Sequence, residues 1–123
     1  MAGEPVLVVD DTPANQKLLK ILLGGEHYDV RVASNAKEAL ALLETFRPQM
    51  ILMDVLLPDV DGLELTRQLR ADPHTRDILI LGLTACAMPG DAERVLAAGC
   101  DGYLTKPIDV PSFLATVAGH LRP

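Results

Sequence analysis

The sequence predicts an α/β fold in which five parallel strands form a doubly wound sheet covered by helices on both faces. Short apolar segments alternate with helical segments five times along the 123 residues, a length that suits one domain spanning residues 1–123. Several of the short segments are apolar at every position, which is typical of strands buried on both faces of a parallel sheet. Each parallel pair needs a crossover connection, and the helical segments supply it.

The first strand is predicted at residues 5–9, an apolar run rich in valine that ends at two aspartates. Thr12 and Pro13 predict the start of a helix, because threonine caps helices well and proline suits the first helical position. The apolar residues of this helix fall on one face: Leu18, Leu19, Leu22 and Leu23. Gly24 and Gly25 are predicted to end it.

The second strand is predicted at residues 29–33, where valines alternate with a charged residue as in an edge strand. Asn35 followed by Glu38 resembles a capping box and predicts the start of the second helix, which continues toward Pro48. The third strand is predicted at residues 50–53, a fully apolar run that also ends at an aspartate.

Helices and strands continue to alternate along the rest of the chain. A helix is predicted at residues 63–69, a strand at 78–83, a helix at 90–98 and a strand at 102–104. Asp109 then predicts the N-cap of a last helix.

Composition narrows the classes of function. The formal net charge is −6, so the chain lacks the basic surplus that non-specific nucleic-acid binding requires. No apolar run approaches the length of a membrane span, and the N-terminal residues do not form a secretory signal. The two cysteines, Cys86 and Cys100, have neither metal-site spacing nor a disulfide-rich pattern, which indicates reduced thiols. We therefore expect a cytoplasmic protein that inserts into no membrane and binds no nucleic acid.

Polar residues stand where four of the predicted strands end. The first strand ends at Asp10 and Asp11, the third at Asp54, the fourth at Thr84 and the fifth just before Lys106. In an open parallel sheet, ligands bind beyond the carboxyl ends of the strands, so these side chains are expected to share one cleft. A single aspartate at a strand end is usually a turn or capping residue, but this combination on four separate ends favours a functional site.

The chemistry of these groups indicates metal-assisted phosphoryl transfer. Three carboxylates in one cleft repel one another unless a cation joins them. Oxygen ligands with no histidine or cysteine nearby favour Mg²⁺. A carboxylate nucleophile beside a metal ion, a lysine and a hydroxyl suits the transfer of a phosphoryl group.

Four motifs that occur together carry a resemblance to a known family: Val8-Val9-Asp10-Asp11, Leu52-Met53-Asp54 followed by Pro58 and Gly62, Leu83-Thr84-Ala85, and Lys106-Pro107. The sequence resembles the CheY-like receiver domain of two-component response regulators along essentially its whole length. This resemblance implies a flavodoxin-like (βα)5 fold with strand order 2-1-3-4-5.

The resemblance also implies a role for each site residue. Asp54 would accept the phosphoryl group, and Lys106 would pair with the phosphoryl oxygens. Asp11, Asp54 and the backbone carbonyl of Leu56 would bind Mg²⁺, with Asp10 contributing directly or through a water molecule.

The switch residues follow from the same resemblance. Thr84 would hydrogen-bond the phosphoryl group, and Tyr103 would turn inward in the active state. The surface near the fourth helix, the fifth strand and the fifth helix would change in response. The Lys106–Pro107 bond is expected to be cis. Asp59 and Asp61 are interpreted as turn residues, with Asp59 a candidate for tuning the access of water to the acyl phosphate.

Further residues resemble those of a subgroup that includes the receivers of hybrid histidine kinases and DivK-like stand-alone regulators. These residues are Asn15, the stretch 83–88 with Gly90 and Asp91, Ala98-Gly99-Cys100 and Lys106-Pro107-Ile108. The implied setting is a phosphorelay whose donor is a histidine kinase or a histidine phosphotransfer protein. The chain ends soon after the last helix, so we expect it to act by contact with an unidentified downstream protein. The alternative is a receiver detached from a hybrid histidine kinase.

Three other functions compete with this interpretation. A metal-dependent aspartyl-phosphate phosphatase would need a second acid two residues after the nucleophile, where Leu56 stands. A flavodoxin-like cofactor binder would need a phosphate-binding loop, and Asp10-Asp11 would repel phosphate. A phosphorylation-independent interaction module on the same fold is discouraged by the acidic cluster but stays open. The resemblance implies a protein that assists its own phosphorylation and dephosphorylation rather than an enzyme.

Overall fold

The computed structural model describes residues 3–85 and 90–121 of the chain. Its strands are β1 (Pro5–Val9), β2 (Asp29–Ala33), β3 (Met50–Asp54), β4 (Leu79–Thr84) and β5 (Gly102–Thr105). Its helices are α1 (Pro13–Gly25), α2 (Ala36–Leu43), α3 (Gly62–Ala71), α4 (Asp91–Ala97) and α5 (Val110–Leu121). All strand pairs are parallel and lie in the order β2-β1-β3-β4-β5, which confirms the predicted doubly wound sheet and its strand order.

The sheet separates two hydrophobic cores, because successive side chains along a strand point to opposite faces. Leu7 and Val9 of β1 pack in the core formed with α2, α3 and α4. Val6 and Val8 of the same strand pack in the core formed with α1 and α5. β3 is buried at every position, which explains why its residues are continuously apolar up to the final aspartate.

The strand order reverses next to β1, and this reversal places a cleft at the carboxyl ends of the strands. From β1 the chain moves outward to β2, the predicted edge strand, and then returns to the other side of β1 to form β3. The helices that follow β1 and β3 pack on opposite faces of the sheet. The loops after these two central strands therefore diverge, which leaves room for a ligand between them.

Of the predicted helix starts, the Thr12 cap and the Asn35–Glu38 capping box differ in detail from expectation. Thr12 occupies the N-cap position of α1, but its side chain makes no capping hydrogen bond. Its backbone N–H donates to Asp10 Oδ1 at 2.9 Å, so the acidic loop holds Thr12 in place. Asn35 caps α2 as predicted by accepting from the Glu38 N–H at 2.8 Å. Glu38 in turn accepts from the Ser34 N–H, one residue before the position that a capping box uses.

Several element bounds differ by one or two residues from the sequence-based expectation, and the local backbone is informative at the end of α1 and at the starts of β4 and α4. α1 ends at the predicted glycine pair, but the residue in the left-handed region is His27, with a φ of 70°. β4 begins at Leu79, because the Ile78 N–H donates to the Thr75 carbonyl at 3.1 Å within the preceding turn. Gly90 is the N-cap of α4 and not its first residue, with a φ of 91°.

The sequence composition predicts reduced cysteine thiols and no membrane-spanning segment. Cys100 is buried and free, and burial raises the pKa of its thiol, whereas Cys86 lies outside the described residues. Within residues 3–85 and 90–121, none of the helices combines the length and the apolar character that crossing a bilayer requires.

Candidate functional site

Three aspartates converge at the carboxyl ends of β1 and β3. Val9 pairs with Met53 in the register of these neighbouring strands, so the residue after β1 and the last residue of β3 lie side by side. One carboxylate oxygen from each of Asp10, Asp11 and Asp54 lies within 4.8 Å of the others. Asp10 is fully buried and Asp54 is 4% exposed, while Asp11 faces solvent.

Lys106 brings a positive charge to the same cluster from the end of β5. Its Nζ lies 3.1 Å from Asp54 Oδ2 and 3.5 Å from Asp10 Oδ2. Its backbone N–H donates to the Thr84 carbonyl at 2.9 Å, which ties the lysine to the end of β4. The Lys106–Pro107 peptide bond is cis, as expected. All four strand ends singled out in the sequence therefore contribute to one region.

Asp54 is held at both carboxylate oxygens. Oδ1 accepts the Leu56 N–H at 3.0 Å, and Oδ2 faces the Lys106 ammonium. Burial raises the pKa of Asp54 above its ordinary value, and the nearby Asp10 carboxylate adds to this effect. The Leu56 N–H and the Lys106 ammonium oppose the shift without cancelling it. The side chain is thus fixed in orientation at the carboxyl end of β3.

The donor set of the cluster fits Mg²⁺. Every side chain in it offers carboxylate oxygens, the ligands that hard divalent cations prefer. Three carboxylates against one ammonium leave a net negative charge in a partly buried place, which a divalent cation would neutralise. The exposed Asp11 leaves the cluster open to solvent on one side, so a bound ion could keep water ligands there.

Residues 6–118 match the sequence model of a protein family, the response regulator receiver domain. The chain belongs to this family. Receiver domains are components of two-component signalling, and the CheY-like fold expected from the motifs is the one observed.

Known proteins resemble this receiver domain along nearly its whole length. The polar-differentiation response regulator DivK of Brucella anthropi is 42% identical over 116 residues, which are 94% of this chain and 94% of DivK. The chemotaxis protein CheY4 of Vibrio cholerae superposes with a TM-score of 0.90 at 30% identity, covering 98% of this chain and 100% of that one. The receiver domain of a sensor histidine kinase from Pseudomonas aeruginosa PAO1 superposes with a TM-score of 0.86 at 36% identity, covering 96% and 97%. That structure holds a magnesium ion in its active-site cleft.

The remaining residues singled out in the sequence lie in the loop after β3 and on β4 and β5. Leu56 lies in the loop after β3 with its side chain 74% exposed. Thr84 is buried at the end of β4, and with Leu56 it lines a cavity of about 190 Å³ beside α4. Tyr103 on β5 is opposite Gly82 in the strand register, and its ring is 39% exposed at the outer edge of the sheet.

Sequence reasoning missed two contacts that support the acidic loops. Gln16 of α1 donates from Nε2 to the Asp10 carbonyl and, at 2.9 Å, to Ser34 Oγ, which joins the loops after β1 and β2. Asp59 accepts backbone N–H groups from α2 instead of serving only its own turn. Neither role has a sequence signature, because the partners other than Asp10 are 18 to 23 residues away along the chain.

Proposed function

We propose that this receiver domain is a phosphoacceptor switch of a phosphorelay, in which Asp54 accepts a phosphoryl group from a phosphohistidine. The observation that carries the proposal is the convergence of Asp10, Asp11 and Asp54 with Lys106 at one sheet edge. A carboxylate nucleophile, a cation and a set of metal ligands in one cleft are the groups that phosphoryl transfer to an aspartate requires.

The proposed step replaces one bond to phosphorus with another. A carboxylate oxygen of Asp54 attacks the phosphorus, and an acyl phosphate forms. The P–N bond of the donor breaks, and its electron pair stays on the imidazole nitrogen of the donor histidine. Lys106, which faces Asp54 Oδ2 before transfer, is placed to pair with the phosphoryl oxygens afterwards.

Asp11, Asp54 and the Leu56 carbonyl are the proposed ligands of Mg²⁺, with Asp10 contributing directly or through water. When bound, the ion supplies positive charge that offsets the charge of the phosphoryl oxygens and the three carboxylates. Asp10 and Asp54 are buried, so their charges are poorly screened by water and their attraction for a divalent ion is strong.

The proposed response to phosphorylation passes through Thr84 and Tyr103. Thr84 would hydrogen-bond the new phosphoryl group, and the cavity beside it offers space for the Thr84 side chain to move. The Thr84 carbonyl already holds the Lys106 backbone, so a shift at the end of β4 also reaches β5. Tyr103 would then exchange its exposed position for an inward one, which changes the surface formed by α4, β5 and α5.

The proposed donor is a histidine kinase or a histidine phosphotransfer protein, and the proposed location is the cytoplasm. Similar coverage of DivK and of a kinase receiver supports both a regulator acting through a protein target and a receiver that serves a hybrid kinase. Asp54 performs the same chemistry in either setting, so one experiment tests both.

We expect a single phosphoryl adduct on the wild-type protein after incubation with acetyl phosphate and Mg²⁺, observed by intact mass. The adduct should be absent without divalent metal and absent in Asp54→Asn, because the amide is not a nucleophile for phosphorus. Asp61→Asn is the matched control: it removes a carboxylate from the same loop but keeps the N-cap of α3, and it should retain the adduct.

A wild-type protein that forms no adduct with acetyl phosphate or with several phosphohistidine donors would refute the switch. The phosphorylation-independent interaction module would then be the better description. An adduct that survives in Asp54→Asn would instead show that the acceptor is another residue.

A further inference from the structure

The Asp59 carboxylate joins the loop after β3 to the start of α2. Oδ1 accepts the Ala36 N–H at 3.0 Å, and Oδ2 accepts the Lys37 N–H at 3.1 Å. Oδ1 also accepts the N–H of the neighbouring Val60 at 2.8 Å. The first two contacts join residues more than 20 positions apart, so Asp59 is a connection between two elements and not only a turn residue.

These contacts satisfy donors that α2 cannot satisfy itself. The first N–H groups of a helix have no acceptor within the helix. Asn35 takes the Glu38 N–H, and Asp59 takes those of Ala36 and Lys37. A carboxylate at this end is also attracted by the helix dipole. The Ala36 hydrogen bond, followed by those to Lys37 and Val60, lowers the pKa of Asp59, so the acceptor is ionised at neutral pH.

The loop that Asp59 holds also carries a proposed metal ligand. Leu56 lies three residues before Asp59, and its N–H is already bonded to Asp54 Oδ1. The end of the loop is closed by the Gly62 N–H, which donates to the Val55 carbonyl at 3.0 Å. Asp59 attaches the exposed middle of the loop to a neighbouring helix, so the direction of the Leu56 carbonyl depends on this attachment.

The same attachment extends to the other acidic loop. Glu38, in the first turn of α2, accepts the Ser34 N–H at 2.8 Å. Ser34 Oγ is bonded to Gln16, and Gln16 donates to the Asp10 carbonyl. The start of α2 therefore lies between the two loops that supply the acidic cluster and is hydrogen-bonded toward each.

We propose that Asp59 is a positioning residue, which sets the affinity of the acidic cluster for Mg²⁺ by fixing the loop that bears Leu56 against α2. The inference rests on the proposed function for the identity of the metal ligands. Groups that orient metal ligands without touching the metal typically change affinity or activity by about 10- to 100-fold when they are removed.

The test is a Mg²⁺ titration of the wild type and Asp59→Ala, followed by backbone amide NMR. We expect Asp59→Ala to bind Mg²⁺ about tenfold more weakly and the Ala36 and Lys37 amides to exchange faster with solvent. Phosphorylation by acetyl phosphate should need more Mg²⁺ in this variant and approach the wild-type rate once Mg²⁺ saturates the site. A residue that only stabilised the fold would lower the melting temperature and leave the Mg²⁺ affinity unchanged.

Two controls separate the proposed role from general effects. Asp61→Asn removes the same charge from the same loop but keeps the local cap of α3, so its Mg²⁺ affinity should stay close to wild type. Asn35→Ala weakens the start of α2 without touching the contact to Asp59, and it should lower stability but not Mg²⁺ affinity.

Equal Mg²⁺ affinity in Asp59→Ala and wild type would overturn the inference, as would equal weakening in Asp61→Asn. A wild-type protein that binds Mg²⁺ but is never phosphorylated would refute the proposed function alone, since the titration still decides the role of Asp59. A wild-type protein that binds no Mg²⁺ would refute both.

Discussion

The Asp54 carboxylate lies in a place that disfavours its charge. Burial raises its pKa above the ordinary value of 3.8, although Leu56 and Lys106 oppose the shift. The folded protein therefore holds this proton more tightly than the unfolded chain does. The ionised Asp54 carboxylate therefore lowers the free energy of unfolding once the pH exceeds its folded-state pKa. This loss of stability disappears below the unfolded-state pKa, where the carboxyl group is protonated in both states.

We therefore expect Asp54→Asn to raise the melting temperature of the metal-free protein by a few degrees at pH 7. The difference should shrink as the pH falls below the ordinary aspartate pKa, because both proteins are then neutral at this position. Thermal unfolding followed by circular dichroism in a chelator, at pH 7 and at low pH, measures the effect. A lower melting temperature at pH 7 would mean that attraction to Lys106 outweighs the cost of burial.

Individual residues differ in how much of their role the sequence reveals. Asp10, Asp54 and Lys106 could be placed because each follows a recognisable strand, and parallel strands bring their carboxyl ends together. Gln16 and Asp59 could not, because their acceptors and donors belong to other elements and follow no local spacing. Hydrogen bonds that cross between loops depend on loop conformation, which hydrophobic periodicity does not describe.

Among the elements, the junction between β3 and α3 has no room for a side chain at Gly62. A Cβ there would lie 2.1 Å from the Asp54 carbonyl oxygen and 2.8 Å from the Val55 Cα. Both are backbone atoms, so the loop or the helix would have to move. α3 thus begins as close to the end of β3 as the backbone permits.

We expect Gly62→Ala to lower the free energy of unfolding by about 1–3 kcal/mol, the usual cost of overpacking. The clash is with the backbone of Asp54 and Val55, so phosphorylation by acetyl phosphate should also slow. Gly119→Ala is the matched control, since a Cβ at that position in α5 meets open space. It should leave phosphorylation unchanged and raise stability slightly, as alanine favours helix more than glycine does. Urea unfolding and the rate of adduct formation measure the two effects, and equal behaviour of the variants would contradict this interpretation.

Arg70 connects the end of α3 to the segments before β4 and β5. Its guanidinium donates to the carbonyls of Gly99, Arg76 and Ile78 and to the Asp101 carboxylate, at distances of 2.6 to 2.8 Å. Few residues other than arginine can serve four acceptors in this planar arrangement. The contact lies opposite the acidic cluster, at the end of the sheet where β4 begins.

We expect Arg70→Ala to lower the free energy of unfolding by about 2 kcal/mol, a value reduced by the partial exposure of the side chain. Arg70→Lys should recover less than half of this loss, since lysine cannot reproduce the planar donor set. Arg67→Ala, which breaks only an exposed pair with Glu64 on the same helix, should change stability by less than about 0.5 kcal/mol. Urea unfolding tests the series, and a similar loss in both alanine variants would contradict a special role for Arg70.

For the whole molecule, the architecture follows from alternation and burial. Fully apolar strands such as β3 require a sheet covered on both faces, and the helices between the strands provide that cover. Element ends were less predictable. His27 adopts the left-handed conformation although two glycines precede it, and Ile78 closes a turn instead of starting β4. In both cases local hydrogen bonds at the end of an element prevail over residue preference.

The spread of the site along the chain has a consequence for how the protein is made. Asp10 follows the first strand and Lys106 the last, and in the described sheet β5 pairs only with β4. Chains are synthesised from the N-terminus, so the acidic cluster can assemble before its ammonium partner has joined the sheet. A truncated or half-folded copy holds no complete site. The complete cluster of Asp10, Asp11, Asp54 and Lys106 therefore exists only when folding ends, and the proposed phosphoryl transfer would begin only then.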